Sequence, residues 1–269
     1  MIRSFLSRLL KRDITVLANV TTTPPDQSLS QKKIIVTGGN KGLGFAIAKK
    51  AVEKGALVLI TGRNLSDLQR CSAEIGCQYR QLDMLDTSSF DSFIMEADRL
   101  LGGLDALVNN AGISLHEEDY DKVTPDSFDR QINTNLKGSF FLAQSFIRHL
   151  TGKRQEGNIL FISSETGETV DIRPYGWTKA AVNSMVQGLA YRLAREGIRV
   201  NALAPGVCST EMTGISTSNL RYEGSPIGRA YLPLEMAEVA AFLLSDVSNC
   251  ISGQIITCNN GKTINARWK

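Results

Sequence analysis

Histidine and paired cysteines, which supply many active sites with ligands and nucleophiles, are scarce in this sequence. Only His116 and His149 occur among its 269 residues. The five cysteines are odd in number and show no C-x-x-C spacing, which argues against a disulfide framework and against a zinc site. Two histidines are also too few for a histidine-centred triad to be favoured. We therefore expect no metal and a chemistry that uses other side chains.

Long apolar runs and long basic blocks are missing as well. No run approaches the roughly 18 to 20 apolar residues that a membrane-spanning helix needs. The net charge of +3 is spread along the chain, so the basic footprint of a nucleic-acid-binding protein is absent. These absences predict a cytoplasmic protein without a membrane span that binds small molecules and no nucleic acid.

The first 31 residues differ from the rest of the chain. Residues 1–12 place apolar side chains at helical spacing among arginines and lysines, which predicts a basic amphipathic helix. Such a helix fits a mitochondrial targeting peptide, a contact with a membrane surface, or packing on the body or a partner subunit. Residues 19–31 are rich in Thr, Pro, Ser and Gln and indicate a linker. We therefore divide the chain into an N-terminal segment, 1–31, and one catalytic domain, 32–269.

From residue 32 onward, short runs rich in Val, Ile and Leu alternate with longer amphipathic stretches. The runs lack the clean alternation of a half-exposed strand, which favours a parallel sheet buried on both faces. The pattern predicts an α/β fold with a doubly wound, mostly parallel, seven-stranded sheet of the Rossmann type and helices on both faces. The predicted strands lie near residues 33–37, 56–61, 78–82, 104–109, 157–163, 198–204 and 253–258.

A glycine-rich turn follows the first predicted strand and precedes an amphipathic helix. It reads T-G-G-N-K-G-L-G from Thr37 to Gly44. Glycines at these positions permit positive φ and a close backbone approach, so a pyrophosphate can lie against free N–H groups at the helix N-terminus. The spacing G-x-x-x-G-x-G resembles the glycine motif of the short-chain dehydrogenase/reductase family.

The end of the second predicted strand indicates which nicotinamide cofactor is preferred. NAD-selective folds commonly carry an Asp or Glu there, about 20 residues beyond the glycines. This chain instead has T-G-R-N, with Arg63 where a 2′-phosphate would lie, and Lys41 in the turn offers a second cation. We therefore predict NADP(H), with NAD(H) less favoured.

Four further motifs extend the resemblance over residues 33–262. The chain reads L-V-N-N-A-G, then I-N-T-N-L-K-G, then F-I-S-S-E-T-G, then Y-G-W-T-K, in the order of the family. One Y-x-x-x-K is weak evidence, whereas the ordered set is strong. The closest pattern is that of 3-oxoacyl-carrier-protein reductase-like members. The resemblance implies the catalytic residues Tyr175, Lys179, Ser164 and Asn135.

The chemistry of these residue types agrees with that assignment. Tyr175 and Lys179 stand at i and i+4 and so share one helix face, where the ammonium is expected to make the phenolate less unfavourable. The tyrosine would exchange a proton with the substrate oxygen. The resemblance implies that Ser164 holds that oxygen, that Lys179 binds the nicotinamide ribose, and that Asn135 supports a water leading to bulk solvent. Adjacent Ser163 points to the opposite face.

The resemblance also implies the cofactor contacts. Asp83 matches an adenine-contacting position and Thr210 a hydroxyl after P-G that touches cofactor. The full predicted set is Gly38, Asn40, Lys41, Gly42, Leu43, Gly44, Arg63, Asp83, Met84, Asn110, Ala111, Gly112, Tyr175, Lys179, Pro205, Gly206, Val207 and Thr210.

These observations predict an NADP(H)-dependent oxidoreductase that moves a hydride between nicotinamide and a ketone or secondary alcohol. Reduction of a 3-oxoacyl thioester is one version, and a catalytically idle dinucleotide-binding sensor or structural subunit is the alternative. The segment from Met212 to Pro226 is expected to cover the substrate. The long helices near 125–150 and 175–196 are expected to form a homodimer or homotetramer, and the closing C-N-N-G is expected to be a subunit contact rather than part of the chemistry.

Overall fold

The computed structural model describes residues 27–264, which form one sheet of seven strands covered by helices on both faces. The predicted N-terminal helix, residues 1–12, and most of the predicted linker lie outside these residues. The last part of that linker packs on the sheet, because Leu29 is buried and its N–H donates to Lys54 O at 3.1 Å. The division of the chain at residue 31 remains a prediction.

Each of the seven predicted apolar runs is a strand. The order across the sheet is β3-β2-β1-β4-β5-β6-β7, and neighbouring strands pair in parallel throughout. The strands are β1 (Lys33–Thr37), β2 (Leu57–Gly62), β3 (Gln78–Gln81), β4 (Ala106–Asn109), β5 (Gly157–Ile162), β6 (Ile198–Pro205) and β7 (Ile255–Cys258).

Several helices begin or end at residue types that favour helix ends. Asn64 caps one helix by accepting a hydrogen bond from the Asp67 N–H, and Gly76 ends the same helix with a φ of 71°. The helices are α1 (Gly42–Glu53), α2 (Leu65–Ile75), α3 (Phe90–Leu101), α4 (Pro125–Gln131), α5 (Ser139–Gly152), α6 (Pro174–Leu193) and α7 (Pro233–Leu244). None of the helices formed by residues 27–264 is long and apolar enough to cross a membrane.

The sheet separates two apolar cores because successive strand residues point to opposite faces. Ile34 and Val36 of β1 belong to the core under α1 and α7, whereas Ile35 belongs to the core under α3, α5 and α6. All three are fully buried. This two-sided burial explains why the strands read as continuous apolar runs.

The strand order reverses its direction at the centre of the sheet. From β1 the chain proceeds outward to β2 and β3, then returns to β4 on the other side of β1. The connections that leave the carboxyl ends of β1 and β4 therefore diverge and open a crevice, which is where ligands bind in folds of this kind. The predicted cofactor and catalytic residues follow these strand ends.

Candidate active site

The glycine turn lies between β1 and α1 with the backbone shape that the sequence predicts. Gly38 and Gly42 have φ values of 62° and 54°. A Cβ added to Gly44 would overlap Gly38 O and the Asn110 side chain. The turn thus forms a backbone cradle that side chains would fill, and it leads into the N-terminus of α1, where the helix dipole favours an anion. This geometry fits a dinucleotide pyrophosphate.

Thr37 ties the glycine turn to the N-N-A-G segment after β4. Its buried hydroxyl accepts hydrogen bonds from the backbone N–H groups of Asn110 and Ala111, both at 2.9 Å. It also faces Val108 O at 3.3 Å. In return, Asn110 Nδ2 donates to Thr37 O at 2.7 Å. Two neighbouring strand ends are therefore held as one floor beneath the crevice.

The residues predicted to contact the adenosine part of the cofactor lie after the ends of β2 and β3 and are polar and exposed. Arg63 and Asp83 are exposed, and Asp83 accepts a hydrogen bond from the Leu85 N–H at 3.0 Å. Lys41 is also exposed, and its Nζ lies 3.2 Å from Glu211 Oε2. The sequence did not indicate that this lysine would be paired with an acid. Glu211 follows β6 and directly precedes Met212–Pro226, the segment expected to cover the substrate. The pair therefore joins the glycine turn to the start of that segment.

The predicted residues after β6 reach the same crevice. A Cβ built on Gly42 would lie 3.6 Å from the Thr210 side chain, so Thr210 borders the glycine turn. A Cβ on Gly206 would lie 2.7 Å from the Tyr231 ring. Only a glycine allows Pro205 and Gly206 to pass this closely beneath Tyr231. The segment after β6 therefore borders the crevice at the glycine turn through Thr210.

Asn135 lies in a widened helical turn between α4 and α5. Residues Ile132–Gly138 form a π-helical segment, a feature that occurs frequently at functional sites. The Asn135 amide is buried, donates to Ile113 O at 2.8 Å and accepts from the Ile113 N–H at 2.8 Å. It also lies 3.4 Å from Thr178 Oγ1. Asn135 therefore joins the loop after β4 to the helix that carries Tyr175 and Lys179.

Tyr175 and Lys179 share one face of α6, as their spacing predicts. Lys179 Nζ lies 5.5 Å from the centre of the Tyr175 ring and donates to Ile162 O at 2.8 Å. The Ser164 hydroxyl, two residues beyond the end of β5, is close enough to the Tyr175 phenol to act on its pKa in the lowering direction. The phenol, ammonium and hydroxyl therefore meet at the carboxyl end of β5.

The two adjacent serines have separate environments. Ser163 Oγ donates to Asn183 Oδ1 at 2.6 Å beneath α6. Ser164 Oγ accepts from the Thr166 N–H at 3.2 Å and from Thr166 Oγ1 at 3.0 Å, and so shapes the turn after β5. Of the two, Ser164 faces Tyr175.

The pKa directions in this site differ from the sequence expectation. We expected the ammonium to lower the pKa of the phenol, but burial raises the pKa of Tyr175 to about 12, with the hydrogen bond to Ser164 acting in the opposite direction. Burial also lowers the pKa of Lys179 to about 8. Desolvation disfavours the charged form of each group and is the largest cause of both shifts. The net direction at Tyr175 is therefore opposite to the lowering expected from the neighbouring ammonium.

The loop between Ser164 and Tyr175 is short, and Asp171 gives it its shape. The Asp171 carboxylate accepts from the Arg173 N–H at 3.1 Å and from Arg173 Nε at 3.0 Å. Its backbone carbonyl accepts from Trp177 Nε1 at 2.8 Å. Arg173 also reaches Glu117 O at 3.5 Å. The loop is therefore fixed to the start of α6 and to the segment after β4.

Comparison with known proteins decides which protein family has this arrangement. A family model described as enoyl-(acyl carrier protein) reductase matches residues 38–263. The chain belongs to the short-chain dehydrogenase/reductase family. As the sequence predicts, this short-chain dehydrogenase/reductase is an oxidoreductase that uses a nicotinamide dinucleotide. The alternative of a catalytically idle sensor is not supported.

The chain matches several named relatives over almost the whole length of each relative. The 3-oxoacyl-(acyl-carrier-protein) reductase of Aquifex aeolicus is 32% identical, with 87% of this chain and 98% of that protein covered. A probable 2,4-dienoyl-CoA reductase of Bacillus subtilis is 34% identical over 88% of this chain and 98% of its own length. The acetoacetyl-CoA reductase of Synechocystis is 36% identical, with coverage of 86% and 96%.

Solved structures agree on the fold of this short-chain dehydrogenase/reductase. The 3-ketoacyl-(acyl-carrier-protein) reductase of Brucella melitensis, complexed with NADH, superposes with a TM-score of 0.81 at 31% identity, covering 88% of this chain and 100% of that one. A short-chain type dehydrogenase/reductase of Mycobacterium marinum has a TM-score of 0.82 at 28% identity, with coverage of 89% and 98%. These matches confirm the predicted doubly wound fold.

Sequence reasoning missed several residues that shape this site. Thr37 was placed in the glycine turn, but its hydrogen bonds to Asn110 and Ala111, which follow β4, were not foreseen. Asp171 and Glu165 were not singled out, although three acids among the ten residues between Ser164 and Tyr175 were a visible signal. The C-N-N-G segment was expected to be a subunit contact, yet Asn259 is buried within the chain against Glu165.

Proposed function

We propose that this protein is an NADP(H)-dependent carbonyl reductase that acts on a small 3-oxo substrate. The observation that supports this most directly is the meeting of the Tyr175 phenol, the Ser164 hydroxyl and the Lys179 ammonium at the carboxyl end of β5. A nicotinamide cofactor, when bound, supplies or accepts the hydride. The protein must then hold the substrate oxygen and exchange one proton with it.

Tyr175 is proposed as the proton donor for carbonyl reduction. Its raised pKa, about 12, keeps the phenol protonated at neutral pH, which is the form that reduction requires. Ser164, whose hydroxyl lies near the phenol, is proposed to hold the same substrate oxygen. Lys179 and Asn135 are proposed to support proton return, because the ammonium lies beside the phenol and the amide bridges to Thr178 on the same helix. With its lowered pKa, Lys179 can exchange a proton more readily than an exposed lysine.

The cradle residues are proposed to bind the cofactor. Gly38, Gly42 and Gly44 would receive the pyrophosphate. The exposed Arg63 would pair with a 2′-phosphate through its planar fork. Lys41 already pairs with Glu211, but exposed ion pairs of this kind contribute little. A doubly charged phosphate can therefore compete for this lysine.

The cofactor preference is tested by kinetics with both dinucleotides. Arg63→Ala should raise the KM for NADPH by about 10- to 100-fold, because a charge-assisted hydrogen bond contributes roughly 1.5–3 kcal/mol. The KM for NADH should change little. Arg70→Ala removes another exposed arginine, on α2, and is the matched control. A wild-type preference for NADH that Arg63→Ala leaves unchanged would contradict the proposal.

The substrate class follows from the relatives and from the segment over the pocket. Two of the relatives named above act on 3-oxoacyl chains attached to a carrier protein or to CoA. The segment Met212–Pro226 is short and polar, which favours a small or polar reacting group over a bulky steroid. We therefore place short 3-oxoacyl thioesters first and free ketones or sugars second.

The activity itself is tested by NADPH consumption over a panel of carbonyl compounds. Acetoacetyl-CoA should be turned over, and Tyr175→Phe should abolish turnover while NADPH still binds. Good turnover of a free ketone or sugar with none on the thioester would reject the thioester version. NADPH binding without consumption on any compound would reject the reductase.

We also propose that two copies of the chain associate through the faces of α5 and α6. An apolar groove runs along these helices, and its lining includes the exposed Phe140 and the half-buried Met185 and Leu189. Phe140→Glu should shift sedimentation toward the monomer, whereas Met95→Glu, at an exposed site on α3, should not. An unchanged assembly would remove this face from consideration.

We further propose a cytoplasmic location, against the mitochondrial alternative suggested by the segment before residue 27. Imaging of the tagged full chain tests this location.

A further inference from the structure

We infer that Glu165 is a positioning residue that couples the turn carrying Ser164 to the end of the chain and to the segment over the substrate pocket. The link runs through Lys262. This inference rests on the proposed function and adds to it a means of holding the substrate side of the site.

Glu165 directly follows Ser164 and is only 6% exposed. Its Oε1 accepts from Lys262 Nζ at 2.6 Å, and its Oε2 accepts from Asn259 Nδ2 at 3.2 Å. Both carboxylate oxygens are therefore held by residues almost one hundred positions further along the chain. A buried carboxylate needs such partners, because leaving it unpaired is strongly unfavourable.

Lys262 extends the link to a third part of the molecule. Its Nζ lies 5.9 Å from the centre of the Tyr222 ring, a cation–π distance. Tyr222 belongs to the segment Met212–Pro226, which is expected to cover the substrate. One ammonium thus contacts both the residue next to Ser164 and the covering segment.

A second pair of contacts anchors the far end of the same turn. Glu168 Oε2 accepts from Thr257 Oγ1 at 2.6 Å and from Thr263 Oγ1 at 3.3 Å. The turn from Ser164 to Glu168 is therefore held at both ends by β7 and the residues after it. Because Ser164 Oγ also bonds the Thr166 N–H, a movement of this turn moves the hydroxyl.

Loss of this link should impair turnover of the carbonyl substrate and leave cofactor binding unchanged. Glu165 follows β5, Tyr222 follows β6 and Lys262 follows β7. The glycine turn instead follows β1, at the centre of the sheet. Loss of the link should displace Ser164 from its productive position, and a displacement near 1 Å can lower turnover by about 100-fold. The KM for the carbonyl substrate should rise as the covering segment loosens.

The kinetic test compares Glu165→Gln, Lys262→Met and the double variant with Lys153→Met. Lys153 forms a carboxylate pair of similar length with Asp98 away from the site, so its loss is the matched control. Each single variant should lower kcat/KM for the carbonyl substrate by about 10- to 100-fold, with the Kd for NADPH unchanged. The double variant should be no worse than either single variant, because both remove the same interaction. Lys262→Arg should restore much of the activity.

Any of three results would overturn the inference: wild-type kinetics in both single variants, an additive loss in the double variant, or an equal weakening of NADPH binding. Either of the last two would indicate general damage to the fold. Melting temperatures of all variants identify any that fail to fold.

A measurement without turnover separates this inference from the proposed function. Hydrogen exchange in residues 164–168 and 212–226 should be faster in Lys262→Met than in wild type and unchanged in Lys153→Met. Faster exchange supports the coupling even if no carbonyl compound is reduced. Unchanged exchange overturns the coupling even if the reductase activity is found.

Discussion

Thr37→Val removes one hydroxyl group from the floor of the crevice while preserving the shape of the side chain. The hydroxyl accepts two hydrogen bonds at 2.9 Å from the N–H groups of Asn110 and Ala111, and Thr37 is fully buried. Valine is also β-branched, so the strand conformation of β1 should be kept. The effect should therefore come from the two N–H groups that lose their acceptor.

The expected magnitude follows from those two groups. An unsatisfied buried donor costs about 1–3 kcal/mol. Asn110 and Ala111 are only partly buried, so water can reach them and the lower part of that range applies. We expect Thr37→Val to lower the free energy of unfolding by about 2–4 kcal/mol. Because the same bonds hold the glycine turn to the N-N-A-G segment, NADPH binding should weaken as well.

Urea unfolding followed by circular dichroism measures the stability, and titration with NADPH measures the binding. Thr37→Ser is the control, since it keeps the hydroxyl and loses only a methyl group. The reasoning is refuted if the two variants agree within about 0.5 kcal/mol, the usual range for substitutions without a specific mechanism.

Two further predictions concern the same crevice. Gly44→Ala should abolish measurable dinucleotide binding, since its Cβ would overlap Gly38 O and the Asn110 side chain; Gly188→Ala, on α6 with open space around it, should bind normally, and calorimetry with NADPH distinguishes the two. Lys179 has a folded pKa of about 8, below its ordinary 10.5, so the folded state releases its proton first as pH rises. The unfolded state then binds more protons between these values, and this group adds stability with rising pH, by about 3 kcal/mol over the whole window. The stability difference between wild type and Lys179→Met, measured from pH 7 to 10, should show this rise; a difference that stays flat would mean that the ammonium is not desolvated.

Much of the fold could be predicted because its signals are local. Runs such as Ile34–Val36 are apolar without alternation, and glycines stand where β1 must turn sharply into α1. The pairing of Tyr175 with Lys179 depends only on four residues of helix. Each of these features needs no knowledge of residues far away in the chain.

The remaining features of the site depend on contacts between distant parts of the chain. The bond from Lys262 to Glu165 and the pairing of Lys41 with Glu211 join residues 97 and 170 positions apart. Ser164 was selected over Ser163 by resemblance, but the bond from Ser163 to Asn183 beneath α6 emerged only from the packing of that helix on β5.

The sequence by itself determined the parallel sheet, the glycine cradle and the residues that meet at the end of β5, because periodicity and turn chemistry are properties of neighbouring residues. The tertiary structure alone decided the pKa values of two of those residues, Tyr175 and Lys179. The burial that raises the pKa of Tyr175 and lowers that of Lys179 arises when β5, α6 and the segment after β6 close around them. Desolvation is set by everything that surrounds a group, and no local pattern contains that information.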